Sequence, residues 1–317
     1  MVSPSRPAAR ANEAVLGELY YRIAYPLQSS SAQSQSRQQL ALAIGKMDFF
    51  SFFDQNAAAN DETSQFLNSV FVHNPLLDAG GEIGTDDDGF QPGIVLSYTR
   101  ADRDDRSIQF SLGVLGSGRG AQLSHAFADS MVFAQLQTTT RIGDLPGNVR
   151  VYGWRRSRAD QLDGSLGTHR GWGLSVDQHI NATDTVFARF GQLTQGQIPF
   201  RRALTAGIEF GGERWHRNDD SWGIAAAWLW PSRAYEAAGG TGCLLGDENG
   251  DGQCDSGDPG FFAFVPAGAE RVAEAYYRVN VNKHLQVSPD LQYVWNMGAN
   301  PAARNVLAFG LRAQIRF

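Results

Sequence analysis

The sequence predicts an all-β protein, an antiparallel transmembrane β-barrel with short periplasmic turns and long extracellular loops. Three observations lead to this prediction. About thirteen segments of roughly ten residues alternate apolar with polar or small side chains. The connections between them alternate in length. No stretch of the 317 residues approaches the ~18 consecutive apolar residues of a membrane helix, which excludes a helical bundle.

The clearest alternating segment is the last one, where every second residue from Leu307 to Phe317 is apolar or alanine. Arg312 and Arg316 fall on the opposite side of the same segment. Segment 286–296 contains Pro289, which we expect to interrupt its beginning. The predicted strands are 16–25, 38–47, 93–100, 108–114, 131–141, 148–157, 171–180, 185–193, 203–210, 222–230, 273–282, 286–296 and 307–317.

The connections give a second, independent signal, because short and long ones alternate along the chain. The predicted short turns are Arg103–Arg106, Gly143–Asn148, Asn181–Asp184, Gly211–Ser221 and Val287–Asp290. The predicted long loops are 49–92, 115–130, 158–170, 194–202, 231–270 and 297–303. Short turns at one end and long loops at the other are typical of an outer-membrane barrel. A soluble all-β fold is the alternative, but so many apolar faces exceed what one small sandwich buries.

Charge and motifs exclude other classes of protein. The net charge is −6 with a pI near 5.5, and the arginines are scattered, so a nucleic-acid partner is not expected. The six histidines form no HExxH pair, and neither GxSxG nor a P-loop occurs. The glycine run 116–120 precedes no convincing helix, so we interpret it as a loop. We therefore predict that the chain is not an enzyme, although sequence leaves open a hydrolase assembled from distant strands.

The loop 231–270 contains a calcium-loop motif. The motif has twelve positions, counted from Asp247. Oxygen-bearing side chains occupy positions 1, 3, 5, 9 and 12, glycine occupies position 6, and position 7 supplies a backbone carbonyl. The predicted ligands are Asp247, Asn249, Asp251, Gln253, Asp255 and Asp258. Asp258 departs from the usual Glu, and an acidic solvated loop is the alternative. Cys243 and Cys254 in the same loop predict a disulfide, with two unpaired thiols as the alternative.

Several short motifs resemble the carbohydrate-selective porins of bacterial outer membranes, the OprB type. Near the N-terminus they are Gly45-Lys46-Met47-Asp48, Phe53-Asp54-Gln55-Asn56, Asn60 and Gln65-Phe66-Leu67-Asn68. Near the C-terminus they are Glu274-Ala275-Tyr276-Tyr277-Arg278, Ser288-Pro289-Asp290-Leu291-Gln292-Tyr293-Val294, Gly310-Leu311-Arg312 and the terminal Phe317. The resemblance runs from about residue 38 to residue 317.

The resemblance implies a single outer-membrane domain over 1–317 that lets sugars diffuse passively, without a cofactor for transport. Family members are expected to close with sixteen strands, so about thirteen here suggests that some N-terminal strands and the export signal are absent from this sequence. Such a chain would leave two unpaired strand edges. The implied partners are mono- or oligosaccharides, outer-membrane lipid and the barrel-assembly machinery, which reads the terminal aromatic. A homotrimer and a monomer both stay open.

The polar faces of the strands supply candidate pore-lining residues. Arginine beside tyrosine or tryptophan suits a polyol, because guanidinium donates several coplanar hydrogen bonds and a ring stacks on C–H groups. The candidates are Arg150, Tyr152, Trp154, Arg156, Arg189, Glu209, Glu274, Tyr276, Arg278 and Arg312, together with Lys46 and Asp48 at the root of the 49–92 loop. Ordinary lumen charges are the alternative for any one of them. Because the 49–92 loop is rich in phenylalanine, we expect it to fold inward and narrow the channel.

The sequence therefore favours a carbohydrate-selective porin. Two alternatives stay open: a calcium-dependent surface-binding β-barrel protein that displays the 231–270 loop, and an export channel for an anionic polysaccharide. The export channel would need a continuous arginine ladder, which Asp177, Glu209 and Glu274 interrupt.

The calcium motif generates a direct prediction. The oxidised chain should bind calcium with a dissociation constant on the order of 10⁻⁴–10⁻³ M, because extracellular loops of this type bind weakly. Isothermal titration with calcium measures this, and the absence of any binding heat would contradict the motif assignment.

Overall fold

The structure is a computed structural model, and it describes residues 16–27, 36–78, 83–85, 89–102, 106–163, 165–240, 242–243, 256 and 261–316. Within those ranges, no helix has the length and apolar character needed to cross a membrane. The two α-helices, α1 (Ser69–Val72) and α2 (Arg233–Ala237), are single turns.

Strands account for most of the described chain. They are β1 (Leu19–Pro26), β2 (Ser36–Met47), β3 (Gln91–Asp102), β4 (Ser107–Gly116), β5 (Ser130–Ile142), β6 (Leu145–Asp160), β7 (Leu166–His179), β8 (Thr185–Gln195), β9 (Phe200–Gly211), β10 (Ser221–Pro231), β11 (Gly242–Cys243), β12 (Phe261–Phe262), β13 (Glu270–Asn282), β14 (Leu285–Trp295) and β15 (Val306–Ile315).

Thirteen of the described strands form one sheet, in which each pairs antiparallel with the next strand of that sheet along the chain. The strands β11 and β12, which fall between β10 and β13 in sequence, form a separate two-stranded pair. The predicted all-β fold is confirmed, and each of the thirteen predicted strands overlaps one strand of the large sheet. Among the described residues β1 and β15 form the two edges, so the sheet is open between them.

One predicted turn is wrong. Val287–Asp290 lies inside β14, and the connection from β13 is the tight turn Lys283–His284. Asn282 builds this turn, because its Oδ1 accepts hydrogen bonds from the backbone N–H groups of His284 and Leu285 at 2.8 and 3.0 Å. Pro289 stays in the strand opposite Leu311. Regular pairing with β13 passes from Asp290 directly to Val287, because proline has no N–H to donate.

The two faces of the sheet differ in polarity. On the outer face, alternate residues are apolar and exposed, as at Leu307, Phe309 and Leu311, which are 66%, 74% and 68% exposed. The opposite face, here called the inner face, carries buried polar residues such as Arg189 and Glu274. Exposed apolar bands on strand after strand are stable in lipid, where the ladders satisfy the backbone polar groups.

The connections of the sheet also differ between its two ends. Residues 103–106, 143–144, 180–184, 212–220 and 283–284 connect strands at one end, here called the turn end. Residues 48–90, 117–129, 161–165, 196–199, 232–269 and 296–305 connect them at the other, the loop end. The connections predicted as short and those predicted as long therefore lie at opposite ends of one sheet. Their lengths differ less than predicted, because 161–165 and 196–199 at the loop end are no longer than 180–184 and 212–220 at the turn end.

The apolar outer face leads to a stability prediction. Leu112→Arg, in the middle of β4 on the outer face, should lower the free energy of unfolding in lipid vesicles by about 2–4 kcal/mol, because a charge then faces hydrocarbon. Urea titration followed by tryptophan fluorescence measures it. Gln109→Arg on the inner face of the same strand is the control and should change stability little. Equal effects of both substitutions would contradict the assignment of the faces.

Candidate functional site

The candidate site is built around residues 48–78, here called the inner segment, which covers the inner face of the sheet. Its contacts run from the first strand to the last: Phe52 packs edge-on against Tyr20 of β1, with ring centroids 5.4 Å apart. At the other edge, Arg312 of β15 donates a hydrogen bond to the carbonyl of Glu62. Because one short segment touches both edges and the centre, the sheet curves around it.

Phenylalanine side chains attach the inner segment to the middle of the sheet. Phe49 and Phe53 pack against Phe133 of β5, with centroids 4.8 and 4.7 Å apart. Phe66 packs between Phe187 of β8 and Tyr276 of β13, at 5.6 and 5.0 Å. Burial of each such ring contributes about 1.5–3 kcal/mol. A hydrophobic core therefore lies inside the curved sheet rather than between two sheets.

Arg189 of β8 makes the most extensive polar attachment of the inner segment. Its Nε lies 3.3 Å from both carboxylate oxygens of Asp54, and both side chains are 0% exposed. Nη1 donates to the carbonyl of Phe71 at 2.8 Å, and Nη2 donates to those of Asp54 and Ala59 at 3.0 and 2.7 Å. One guanidinium thereby fixes three separate points of the segment.

The carboxylate of Asp54 is satisfied from other directions as well. Tyr152 of β6 donates its hydroxyl to Oδ1 at 2.9 Å, and the backbone N–H of Asn74 donates to Oδ2 at 2.6 Å. The backbone N–H of Asp54 donates to Oε1 of Gln135 at 2.9 Å. Asp54 has a φ of 52°, an uncommon conformation for a non-glycine residue, and these bonds hold it there.

Two glycines make room for Asn74 against the sheet. A Cβ on Gly191 would lie 2.5 Å from Oδ1 of Asn74, and a Cβ on Gly173 would lie 2.8 Å from its Nδ2. Asn74 uses this space to donate to the hydroxyl of Tyr152 at 2.8 Å and to the carbonyl of Phe190 at 3.3 Å. Larger residues on β7 and β8 at these positions would push the segment off the sheet.

The strands β13 to β15 hold the other half of the inner segment. Glu274 accepts hydrogen bonds from the backbone N–H groups of Leu67 and Asn68, the second at 2.9 Å. Arg278 donates to the carbonyl of Ser64 at 3.2 Å and lies 3.7 Å from Glu209. The Tyr276 hydroxyl donates to Glu209 at 2.6 Å.

Lys46 and Asp48 lie at the root of the inner segment, next to the residues before β1. Nζ of Lys46 donates to the carbonyl of Leu16 at 2.7 Å, and the backbone N–H of Asp48 donates to Glu18 at 2.8 Å. Burial raises the pKa of the Asp48 carboxyl despite hydrogen bonds from Phe50 and Ser51. At Asp61 burial acts in the same direction, but hydrogen bonds from Ser64 and Thr63 prevail and lower the pKa.

The remaining predicted residues lie on β6. Arg150 donates to Asp177 of β7 at 2.6 Å and to Gln137 of β5 at 3.1 Å, so its contacts stay within the wall. Trp154 and Arg156 are buried closer to the loop end, and Nε1 of Trp154 has no hydrogen-bond partner among the described residues.

The predicted pore residues thus fall into two groups. Arg189, Tyr152, Glu274, Arg278 and Arg312 bond to the inner segment. In the second group, Lys46 and Asp48 lie at the root of the segment. The wall around the segment contains the others, which are Arg150, Trp154, Arg156, Glu209 and Tyr276. Direct contact of any of them with a sugar stays a prediction.

A cavity of about 300 Å³ separates the inner segment from the wall on the side of β1 to β5. Small side chains of the wall create it, notably Ala41, Ala43 and Ser97. Its lining residues are Tyr20, Arg22, Ala41, Ala43, Ser51, Phe52, Gln55, Val95, Ser97, Gln109 and Gln137. Of these described residues Arg22 is the charged one, so the cavity is polar and nearly neutral.

None of the predicted pore-lining residues lines this cavity, because the sequence prediction selected charged and aromatic residues, mostly on the polar faces of later strands. One pattern in the sequence could have indicated the cavity. Uncharged amide side chains occur on the polar faces of two consecutive strands, at Gln109 on β4 and at Gln135 and Gln137 on β5. Asn74 and Gln135, which hold Asp54, were also missed. Their role depends on a contact between residues far apart in the chain.

The predicted calcium ligands Asp247, Asn249, Asp251, Gln253, Asp255 and Asp258 lie outside the described residues, as does Cys254. Cys243 is described by its backbone pairing with Phe261 in the β11–β12 pair. In the described part of the chain, no three His, Cys, Asp or Glu side chains are grouped so that they could hold a metal ion.

The chain is similar to one family of known proteins and to several solved structures. The family model described as "Carbohydrate-selective porin, OprB family" matches residues 11–317. OprB of Pseudomonas putida, solved at high pH, is similar in structure with a TM-score of 0.64 and 19% identity, covering 88% of this chain and 71% of that one. OccK11 (OpdR) of Pseudomonas aeruginosa has a lower TM-score of 0.44 with 8% identity, over 96% and 73% of the chains. No curated protein sequence matches significantly.

The family match extends over nearly the whole chain and agrees with the antiparallel sheet, the apolar outer face and the polar inner face. It confirms the predicted porin class and the outer-membrane location, and it identifies a passive channel rather than an enzyme, one that needs no cofactor for transport. The chain belongs to the OprB family of carbohydrate-selective porins.

Proposed function

We propose that neutral mono- or oligosaccharides cross the outer membrane along the cavity between the inner segment and strands β1 to β5. The observation that carries this proposal is the distribution of polar atoms. Towards β6 to β15, Arg189 and Glu274 bond directly to the inner segment and hold it against the wall. Towards β1 to β5, small and amide side chains border open space.

The chemistry of the cavity suits a sugar. An amide side chain both donates and accepts, so Gln55, Gln109 and Gln137 match hydroxyl groups, which also do both. The rings of Tyr20 and Phe52, in edge-on contact, offer apolar surface for the C–H groups of a sugar ring. Individually weak contacts of this kind allow the solute to leave as readily as it enters.

Charge supports neutral sugars over an anionic polysaccharide. An export channel for polyanions would need consecutive cationic side chains along the path. Arg150 and Arg189 are instead engaged by Asp177 and Asp54 within the protein. Of the described residues around the cavity, Arg22 alone carries a charge.

Further partners extend this proposal. We infer that lipid covers the apolar outer face and that the barrel-assembly machinery recognises the terminal aromatic residue Phe317, which lies outside the described residues. Sedimentation in detergent distinguishes a homotrimer from a monomer. A calcium-dependent surface-binding role for the 231–270 loop stays the alternative, and it predicts channel properties that do not respond to sugars.

Removing the amides should weaken sugar block of the channel. Gln109→Leu and Gln137→Leu should each raise the sugar concentration for half-block about 2- to 12-fold, because each removes a net hydrogen bond worth about 0.5–1.5 kcal/mol. Single-channel recording across a glucose and maltodextrin series measures this. Gln286→Leu, on the inner face of β14 and bonded to Asn280, is the matched control and should leave the block unchanged. Unchanged block in both cavity variants would contradict the proposed path.

Breaking the attachment of the inner segment should open the channel. Arg189→Gln leaves Asp54 buried without its ionic partner, and loss of one member of a buried pair costs about 3–5 kcal/mol. We expect a larger conductance, weaker sugar block and faster proteolysis within the segment.

Arg214→Gln is the control for that experiment. It also removes a guanidinium from a carboxylate whose side chain is 0% exposed, Asp184, but at the turn end and away from the segment. It should lower stability without changing conductance. If Arg189→Gln keeps the wild-type conductance while the segment becomes protease-sensitive, the segment does not narrow the channel.

A further inference from the structure

A group of arginines on the outer face has no explanation in the sugar pathway. Arg155 of β6 and Arg170 of β7 are directly opposite one another on neighbouring strands, and both are exposed. Like charges in this arrangement destabilise a sheet. In the described chain neither arginine side chain has an acidic partner within ion-pair distance, and the nearby Asp129 is engaged by Arg158 at 2.8 Å.

A third arginine extends this group across the next two strands. Trp172 of β7 is opposite Gln192 of β8, and Gln192 is opposite Arg202 of β9. Nε of Arg202 donates to Oε1 of Gln192 at 2.9 Å, which fixes the side chain along the outer face. Neighbouring strands lie about 4.8 Å apart, so Arg155, Arg170 and Arg202, here called the arginine patch, extend over roughly 14 Å.

The arginine patch is unbalanced by negative charge. From β5 to β9, the described residues that alternate onto the outer face include one acidic residue, Asp160, which is opposite Leu166 at the loop end of β6. None of the ion pairs among the described residues joins Asp160 to the patch, so three positive charges face one negative charge. By contrast, Arg100 on the outer face at the turn end has Asp102 beside it at 3.7 Å. The excess of positive charge on the outer face therefore lies at the loop end.

The depth of the patch identifies the ligand class. Trp172 is the next outward residue after Arg170 along β7, and Trp230 is opposite Arg202 on β10. Tryptophans mark the boundary between hydrocarbon and headgroups, so the guanidiniums lie at headgroup level. The long loops of such a barrel face the cell exterior, which places the patch in the outer leaflet.

We propose that the arginine patch binds the phosphate groups of a phosphorylated glycolipid in the outer leaflet of the outer membrane. Guanidinium suits this ligand, because its parallel N–H groups bind phosphate oxygens in bidentate fashion. The bound phosphate would neutralise the repulsion between Arg155 and Arg170. The site is in the middle of the sheet, away from the edge strands β1 and β15, and it is independent of the sugar path.

The test compares lipids and variants of the full chain refolded in a zwitterionic detergent. Native mass spectrometry with bisphosphorylated lipid A should show one retained lipid on the wild type, with binding about tenfold or more weaker for Arg155→Gln/Arg170→Gln. Arg100→Gln, an outward arginine at the turn end, is the matched control and should bind as the wild type does. Lipid A without its phosphates should bind the wild type as weakly as the double variant binds lipid A.

Thermal melting adds a readout that a merely structural role would not give. Without lipid, the double variant should melt at the same temperature as the wild type or higher, because repulsion is relieved. With lipid A, the wild type should gain stability and the double variant should not. If the double variant does not refold, Arg202→Gln alone provides the same comparison.

Three results would overturn the proposal. The first is equal retention of lipid A by the wild type and the refolded variant. The second is equal binding of the lipid with and without phosphates. The third is stabilisation by inorganic phosphate alone to the same extent as by lipid A, which would indicate a simple anion site.

Discussion

The buried ion pair between Arg189 and Asp54 is the interaction on which the architecture of the channel depends. Its two members are 135 positions apart in the chain, one in the wall and one in the inner segment. Two buried charges are costly unless every polar atom finds a partner. Here the guanidinium also binds three carbonyls, and the carboxylate also binds Tyr152 and Asn74. The pair therefore specifies where the segment lies, beyond any stability that it adds.

This arrangement divides the interior of the curved sheet into two parts. From the loop-end half of β5 round to β15, phenylalanine rings and hydrogen bonds join the segment to the wall, and the interior is packed as a protein core is. On the side of β1 to β5, alanine, serine and glutamine leave a polar space. A porin needs both properties, because a segment that was loosely held would not define a path of constant width. The proposed sugar path therefore lies beside a segment that the same curved sheet holds in place.

Much of this fold could be predicted from the sequence, because period-two alternation is a local property of each strand. It located all thirteen strands of the large sheet and assigned the connections between them to two opposite ends. It failed at Val287–Asp290, because Pro289 suggested a turn although a strand tolerates proline where pairing is interrupted. The motif around Asp54 pointed to the inner segment by resemblance.

The site itself was less predictable than the fold. Arg189 and Glu274 were recognised as inward-facing, but their partners belong to a segment distant in the chain, and alternation contains no information about such contacts. Without those partners, both residues resemble exposed lumen charges. The cavity was missed for a related reason: it is defined by small residues such as Ala41 and Ala43, whose importance is the space they leave.

The central claim is that a sugar-sized polar path remains beside an inner segment fixed to the wall. Planar-bilayer conductance of the refolded 317-residue chain, recorded with and without millimolar glucose and longer maltodextrins, tests it most directly. The account predicts stable channels whose current falls reversibly as sugar is added. Stable channels whose current is indifferent to every sugar in the series would contradict it.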